Sequence, residues 1–237
     1  MKKYKYQLHA HTLPCSACSH LSPQELCEAL HESGYQGAVL TNHFYHGNTG
    51  IPRGNEVEWK TFVEAYERDY QKCVEEAKKY DLDILFGIEE SVEPGLEILC
   101  YGVTPKMLYE HPQLRKADLS EWAKIMRSYG VVVIQAHPFR EVWYIPKPGM
   151  LPLEYIDGIE VYNRGNAGPE MDAKAVAYAN EHTDLIRTSG GDVHRSGEMG
   201  FGGIAAFTRL RTETDLADCL RRGEYELIIG AGGNQYI

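Results

Sequence analysis

Short apolar runs alternate with longer stretches of helical period along the chain. Strand candidates are Tyr4–His9, Gly37–Thr41, Asp83–Gly87, Glu97–Gly102, Val131–Gln135, Gly158–Tyr162, Leu185–Thr188 and Gly203–Thr208. Helix candidates are Pro23–Ser33, Val57–Tyr80, Leu119–Tyr129, Glu170–Glu181 and Thr214–Arg222. Several strands, among them VVVIQ (131–135) and GAVLT (37–41), are apolar almost throughout, which suits strands covered on both faces. The first helix carries its own start and stop: Ser22 as N-cap, Pro23 at the first position, Glu25 closing a capping box, and Gly34 beyond the end. Strands alternating with helices predict βα units and a parallel sheet, open or closed into a barrel, in one domain over 1–237. The long helix Val57–Tyr80 has mixed charges, including Glu64 and Arg68 four apart, and reads as a solvated face.

The residues at the strand ends carry the chemistry. The first strand ends in HAH (9–11), the second in TNH (41–43) and the third in GIEE (87–90). Val131–Gln135 runs into AHP (136–138), Gly158–Tyr162 carries Glu160, and Leu185–Thr188 runs into GGDVH (190–194). In a parallel barrel the carboxyl ends of the strands share one face, where active sites are built. Residues two apart on a strand point the same way, roughly 6–7 Å apart. His9 and His11 can therefore reach one ion, and Asp192 and His194 have the same spacing. With Glu89, His43 and His137 the rim gathers more donors than one four-coordinate ion takes, so a cluster of two or three ions with a bridging carboxylate is expected.

Composition narrows the class. Of 237 residues, 43% are hydrophobic and 24% charged, as in an ordinary globular protein. A net charge of −10 argues against bulk binding to nucleic-acid backbones and suits a carboxylate-rich cation site. No apolar run approaches the ~18 residues of a membrane span, and the start of the chain lacks a signal-peptide pattern. Six scattered cysteines then predict reduced thiols and a cytoplasmic protein. Cys15-x-x-Cys18 has no second such pair and opens no helix, so it does not read as a redox or zinc-ribbon motif. GAGGNQ (230–235) has no helix after it and is not a phosphate-cradling loop.

The ordered set HAHT, TNH, GIE, AHPFR, IEVYN and GGDVHR covers nearly the whole chain and resembles the PHP (polymerase and histidinol phosphatase) family. The resemblance implies an α/β fold, a distorted (β/α)7 barrel, with two or three divalent ions (zinc, manganese or iron) that hydrolyse phosphate esters. It implies that His9, His11, Glu89 and Asp192 hold a first ion, and that Glu89 bridges to a second ion held also by His137. Glu97 stands where the family often has a histidine for that second ion. His43 and His194 would hold a third ion with a residue from the loop HTLPCSACSHLSP, where His20 is the candidate and Cys18 the fallback. Asn42 departs from the more typical TDH and loses any supporting carboxylate there.

The expected reaction is hydrolysis of a small phosphorylated metabolite by water activated between the ions, with no protein general acid assigned. Arg140, Arg164 and Arg195 each lie just beyond a strand-end motif and are candidates for gripping the phosphate. Tyr101, Tyr144 and Tyr162 are candidates for the pocket wall, and loops 46–55 and 141–152 for its shape. Two other readings stand beside this one. Amidohydrolase barrels also open with His-x-His, although their usual bridge is a lysine rather than an acid such as Glu89. A PHP domain can also bind metal without catalysis.

Overall fold

The computed structural model describes residues 2–230 and 235–236. β1 (Tyr4–Ala10), β2 (Gly37–Leu40) and β3 (Asp83–Glu93) run parallel in that order. β4 (Leu96–Tyr101) turns back antiparallel to β3, and β5 (Val132–Gln135) is antiparallel to β4 in turn. β6 (Gly158–Asn163) and β7 (Ile186–Gly190) then continue parallel to β5. On the other side of β1 lie β8 (Ile204–Ala206), β9 (Tyr225–Ile229) and β10 (Gln235–Tyr236), all antiparallel to their neighbours.

The sheet curls until its first and last parallel strands meet. His11 donates its backbone N–H to Val193 O at 2.9 Å, and Val193 donates to His9 O at 3.1 Å, so a seam closes just beyond β1 and β7. The result is a nearly closed α/β barrel, as the sequence predicted, with one strand reversed. That reversal places the start of β4 on the same rim as the ends of the parallel strands.

Six helices are described: α1 (Pro23–Glu32), α2 (Trp59–Ala77), α3 (Pro105–Glu110), α4 (Leu119–Ser128), α5 (Pro169–Glu181) and α6 (Glu213–Arg222). The capping box at α1 forms as read: Glu25 N–H donates to Ser22 Oγ, and Ser22 N–H donates to Glu25 Oε2. α2 corrects an expectation. It is not a solvated face but buries Trp59, Phe62, Val63, Tyr66, Asp69, Cys73 and Ala77 against the barrel. Its Glu64 pairs with Lys60 at 3.7 Å rather than with Arg68. Phe44, just after β2, sits fully buried against α2, edge-on to Phe62 and Tyr66 with ring centroids 5.1 Å away, and to Trp59. This aromatic wedge fixes the turn that presents the adjacent His43.

No helix among the described residues is long and apolar enough to cross a membrane. Residues 231–234 of the glycine-rich stretch GAGGNQ lie outside the described residues.

Candidate metal centre

Away from the rim the strands are apolar, with Leu8, Ile88, Leu99, Ile134 and Ile159 buried in the core. At the rim the side chains switch to imidazoles and acids. His9 and His11 come from β1 and its end, His43 from the turn after β2, Glu89 from β3 and Glu97 from β4. His137 lies just past β5, and Asp192 and His194 just past β7. His9 Nε2 lies 3.1 Å from Glu89 Oε1 and 3.6 Å from Asp192 Oδ1. His11 Nε2 lies 3.4 Å from the same Asp192 oxygen and 3.5 Å from Glu89 Oε2. His137 Nε2 is 3.4 Å from both Glu89 Oε1 and Glu97 Oε2, and His43 Nδ1 is 2.8 Å from Glu89 Oε2.

The decisive feature is what these atoms lack. His9 Nε2, His11 Nε2, His43 Nδ1 and Glu89 Oε2 are buried without a hydrogen-bond partner, although each points at its neighbours. Buried polar atoms are almost always bonded, and an unpaired one costs about 1–3 kcal/mol. Four converging on one spot are what ligand atoms around a cation look like. Three overlapping groups can each hold an ion: His9, His11 and Asp192; His43, Glu89 and Glu97; and His11, His43 and His194. The mixture of imidazole and carboxylate fits divalent zinc, manganese or iron.

The electrostatics favour the ligand forms. Burial opposes the charge on Glu89, but His9 and His43 outweigh it and hold the carboxyl well below the usual range. Burial likewise opposes ionisation of Asp192, while His9 and Arg140 hold it low. Burial and the neighbouring His194 push His11 well down, which leaves a neutral imidazole with a free lone pair. Burial also disfavours a proton on His9, yet Glu160, Asp192 and Glu89 together push it well up. That proton is one a bound cation would displace.

Two supporting carboxylates orient the ring nitrogens, and sequence reasoning gave neither this role. Glu160 Oε1 lies 3.1 Å from His9 Nδ1, which fixes the tautomer that turns Nε2 to the site. Its other oxygen accepts the His137 backbone N–H at 3.0 Å and Asn163 Nδ2 at 2.8 Å. Gly190 makes room for this: a Cβ there would fall 1.9 Å from Glu160 Oε1. Glu160 did have a signal, as a lone acid inside the apolar strand GIEVY.

The second support runs through Asn42. His11 Nδ1 is 2.9 Å from Ser16 Oγ, which donates to Asn42 Oδ1 at 2.8 Å. Asn42 Nδ2 donates to Asp69 Oδ2 at 3.0 Å, and Thr12 Oγ1 donates to the same oxygen at 2.6 Å. The charge that Asn42 lacks is thus supplied one step behind it, from α2. Asp69 continues the helical spacing of Phe62 and Tyr66, so it marked an acid on the apolar face. Replacing Asp69 by Asn is expected to weaken metal affinity about 10–100-fold, the usual effect of removing such a support. Competition with a fluorescent chelator measures it, and unchanged affinity would remove Asp69 from the assembly.

The backbone is bent to serve the rim. His137 and Asp192 have φ of 28° and 50°, in the left-handed region that costs non-glycine residues of order 1–3 kcal/mol. Both stand just beyond the end of a barrel strand, and both turn a candidate ligand inward.

The candidates do not all converge. His20 is exposed: its backbone N–H is held by His194 O, and its Nε2 lies 2.9 Å from the Arg195 guanidinium. Cys18 occupies the place expected of His20, with Sγ 3.1 Å from His194 Nε2. Burial raises its thiol pKa, but hydrogen bonds to His194 and His43 outweigh that and draw it down to about 6. Of the three arginines only Arg140 reaches the site, tied to Asp192 Oδ2 at 2.7 Å and Asn163 Oδ1 at 2.6 Å. Arg164 pairs with Glu198 at 3.1 Å, and Arg195 is exposed. A cavity of about 570 Å³ opens above the cluster, with Arg140, His46, Asn48 and Tyr144 on its wall. Tyr101 is buried in the core, its hydroxyl donating to Leu8 O, and Tyr162 does not face the cavity.

No family model and no curated protein matches the sequence. Solved structures do match. A two-domain protein from Bacteroides vulgatus containing a predicted PHP-like metal-dependent phosphoesterase aligns with a TM-score of 0.69 at 16% identity. The alignment covers 96% of this chain and 65% of that protein. The fold is that of the PHP-like phosphoesterases. PsfC from Pseudomonas syringae aligns at a TM-score of 0.64 and 16% identity, covering 98% of this chain and 94% of that one. An amidohydrolase from Chromobacterium violaceum, solved with bound sulfate and no metal, aligns at 0.55 and 15% identity, covering 82% and 89%. That amidohydrolase shares the barrel fold of this chain.

Proposed function

We propose that this protein is a metal-dependent phosphoesterase that hydrolyses a phosphate monoester of a small metabolite. The observation that carries the reading is the set of partnerless buried donors, His9 Nε2, His11 Nε2, His43 Nδ1 and Glu89 Oε2, facing one another under an open cavity. His9, His11, Asp192 and Glu89 would hold a first ion, and Glu89, Glu97 and His137 a second. His43 and His194 belong to a third position. Bound divalent ions supply an activated water near neutral pH and neutralise phosphoryl oxygens. The protein's part is orientation. Glu160 and Ser16 hold His9 and His11 in the tautomers that face the site. Arg140 occupies one oxygen of Asp192 and leaves the other to the ions. Its guanidinium also lines the cavity, where it meets a substrate phosphate.

A second reading, an amidohydrolase, has the Chromobacterium violaceum structure in its favour. Against it, no lysine among the described residues lines the cavity, and an acid, Glu89, stands at the centre of the cluster. Metal-loaded protein assayed on p-nitrophenyl phosphate and on amide and lactone substrates separates the two. Phosphate release is expected, falling to background in the double variant His9→Ala/His11→Ala while circular dichroism stays unchanged. Turnover of an amide or lactone alone, or full activity in the double variant, overturns the proposal.

A further inference from the structure

The cavity holds one donor of a different chemical kind from the rest. Cys18 is the one cysteine of six that lines it; the other five are buried elsewhere. Its Sγ stands 3.1 Å from His194 Nε2. His43 lines the same cavity wall as Cys18 and His194, with its Nδ1 2.8 Å from Glu89 Oε2. His194 is held in turn by Nδ1, 2.9 Å from Asp192 O, which leaves Nε2 free for a ligand. The rings of His11 and His194 stack with centroids 4.3 Å apart, and the buried, partnerless His11 Nε2 closes the inner side.

The loop that carries the sulfur is pinned on both sides. Ala17 N–H donates to Asn48 O at 2.9 Å, Ser19 N–H to Ser16 O at 3.1 Å, and Ser19 Oγ to His11 O at 3.0 Å. Cys18 is therefore set into place rather than swept past.

We propose that Cys18, His43 and His194 form a thiolate-containing metal position at the cavity side of the cluster, which takes a thiophilic divalent cation such as zinc in preference to manganese. Two imidazoles and a thiolate are a zinc-type donor set, and three protein ligands leave a fourth position open to substrate. The neighbouring donors around Glu89, Glu97 and Asp192 are harder and suit manganese or iron as well as zinc. The centre is then chemically uneven, with a soft position beside hard ones. The inference rests on the metal-centre reading above and adds which loop residue completes it.

Cobalt(II) is the probe, because a thiolate ligand produces a near-ultraviolet charge-transfer band that imidazoles and carboxylates do not. Chelator-stripped full-length protein is reloaded with cobalt as the wild type, Cys18→Ser and His20→Ala. The band is expected in the wild type and in His20→Ala and absent from Cys18→Ser, in which the visible cobalt bands of the remaining ions persist. Zinc retained after dialysis against excess manganese is expected to fall by about one ion per chain in Cys18→Ser. A wild type that binds cobalt without the band, or a band that survives in Cys18→Ser, overturns the thiolate position and leaves the metal centre standing. A wild type that binds no cobalt overturns the metal centre, and the thiolate position with it.

Discussion

Replacing Glu89 by Ala is expected to abolish both hydrolysis and the thermal response to metal. In the wild type, a divalent ion at about 100 times its dissociation constant stabilises the folded state by about 2.7 kcal/mol. At about 2–4 °C per kcal/mol for a chain of this size, the melting temperature rises by about 5–11 °C. Glu89 faces His9, His11, His43 and His137 at once. Without it those imidazoles confront one another with no central negative charge. Scanning calorimetry with manganese or zinc, and then with a chelator, reads the effect. A variant that gains as many degrees as the wild type would place the ions elsewhere.

The second large effect is structural. Phe44→Ala is expected to destabilise the protein by about 3–5 kcal/mol, the range for deleting a buried aromatic ring. That corresponds to a melting temperature lower by about 6–20 °C. Phe44 is fully buried and wedged among Trp59, Phe62, Tyr66 and Trp122, so the surrounding rings cannot collapse into the space without shifting α2 and α4. Urea unfolding of metal-stripped protein isolates this effect from ion binding. A loss below about 1 kcal/mol would mean that the aromatic wedge repacks freely.

Much of this was legible in the sequence, because its signals are local. His-x-His at a strand end puts two donors on one face by geometry alone, and the eight strand candidates all fall on strands of the barrel or its flanking sheet. The reversed sense of β4 was not read, although Glu93-Pro94-Gly95 between the runs is a turn signal that favours a hairpin over a helical crossover. That reversal explains why Glu97, at the start of its strand, shares a rim with candidate ligands at the ends of theirs. β9 and the short α3 were also missed, the latter despite Thr104 and Pro105 in good starting positions.

Within the site, spacing located the donors but not their supports. Glu160 and Asp69 act across long sequence separations, and their only local mark is an acid where the pattern asks for an apolar residue. The choice between His20 and Cys18 could not be made by counting. In the fold Cys18 lines the cavity, whereas the His20 imidazole is exposed beside Arg195.

The seam between the first and last parallel strands carries a consequence for how the site comes into being. His9 and His11 stand on one lip of that seam, and Asp192 and His194 on the other. An open α/β sheet keeps its crevice even when an edge strand frays. Here no partial ring presents the complete donor set, so the assembly of the candidate site and the shutting of the barrel are a single event.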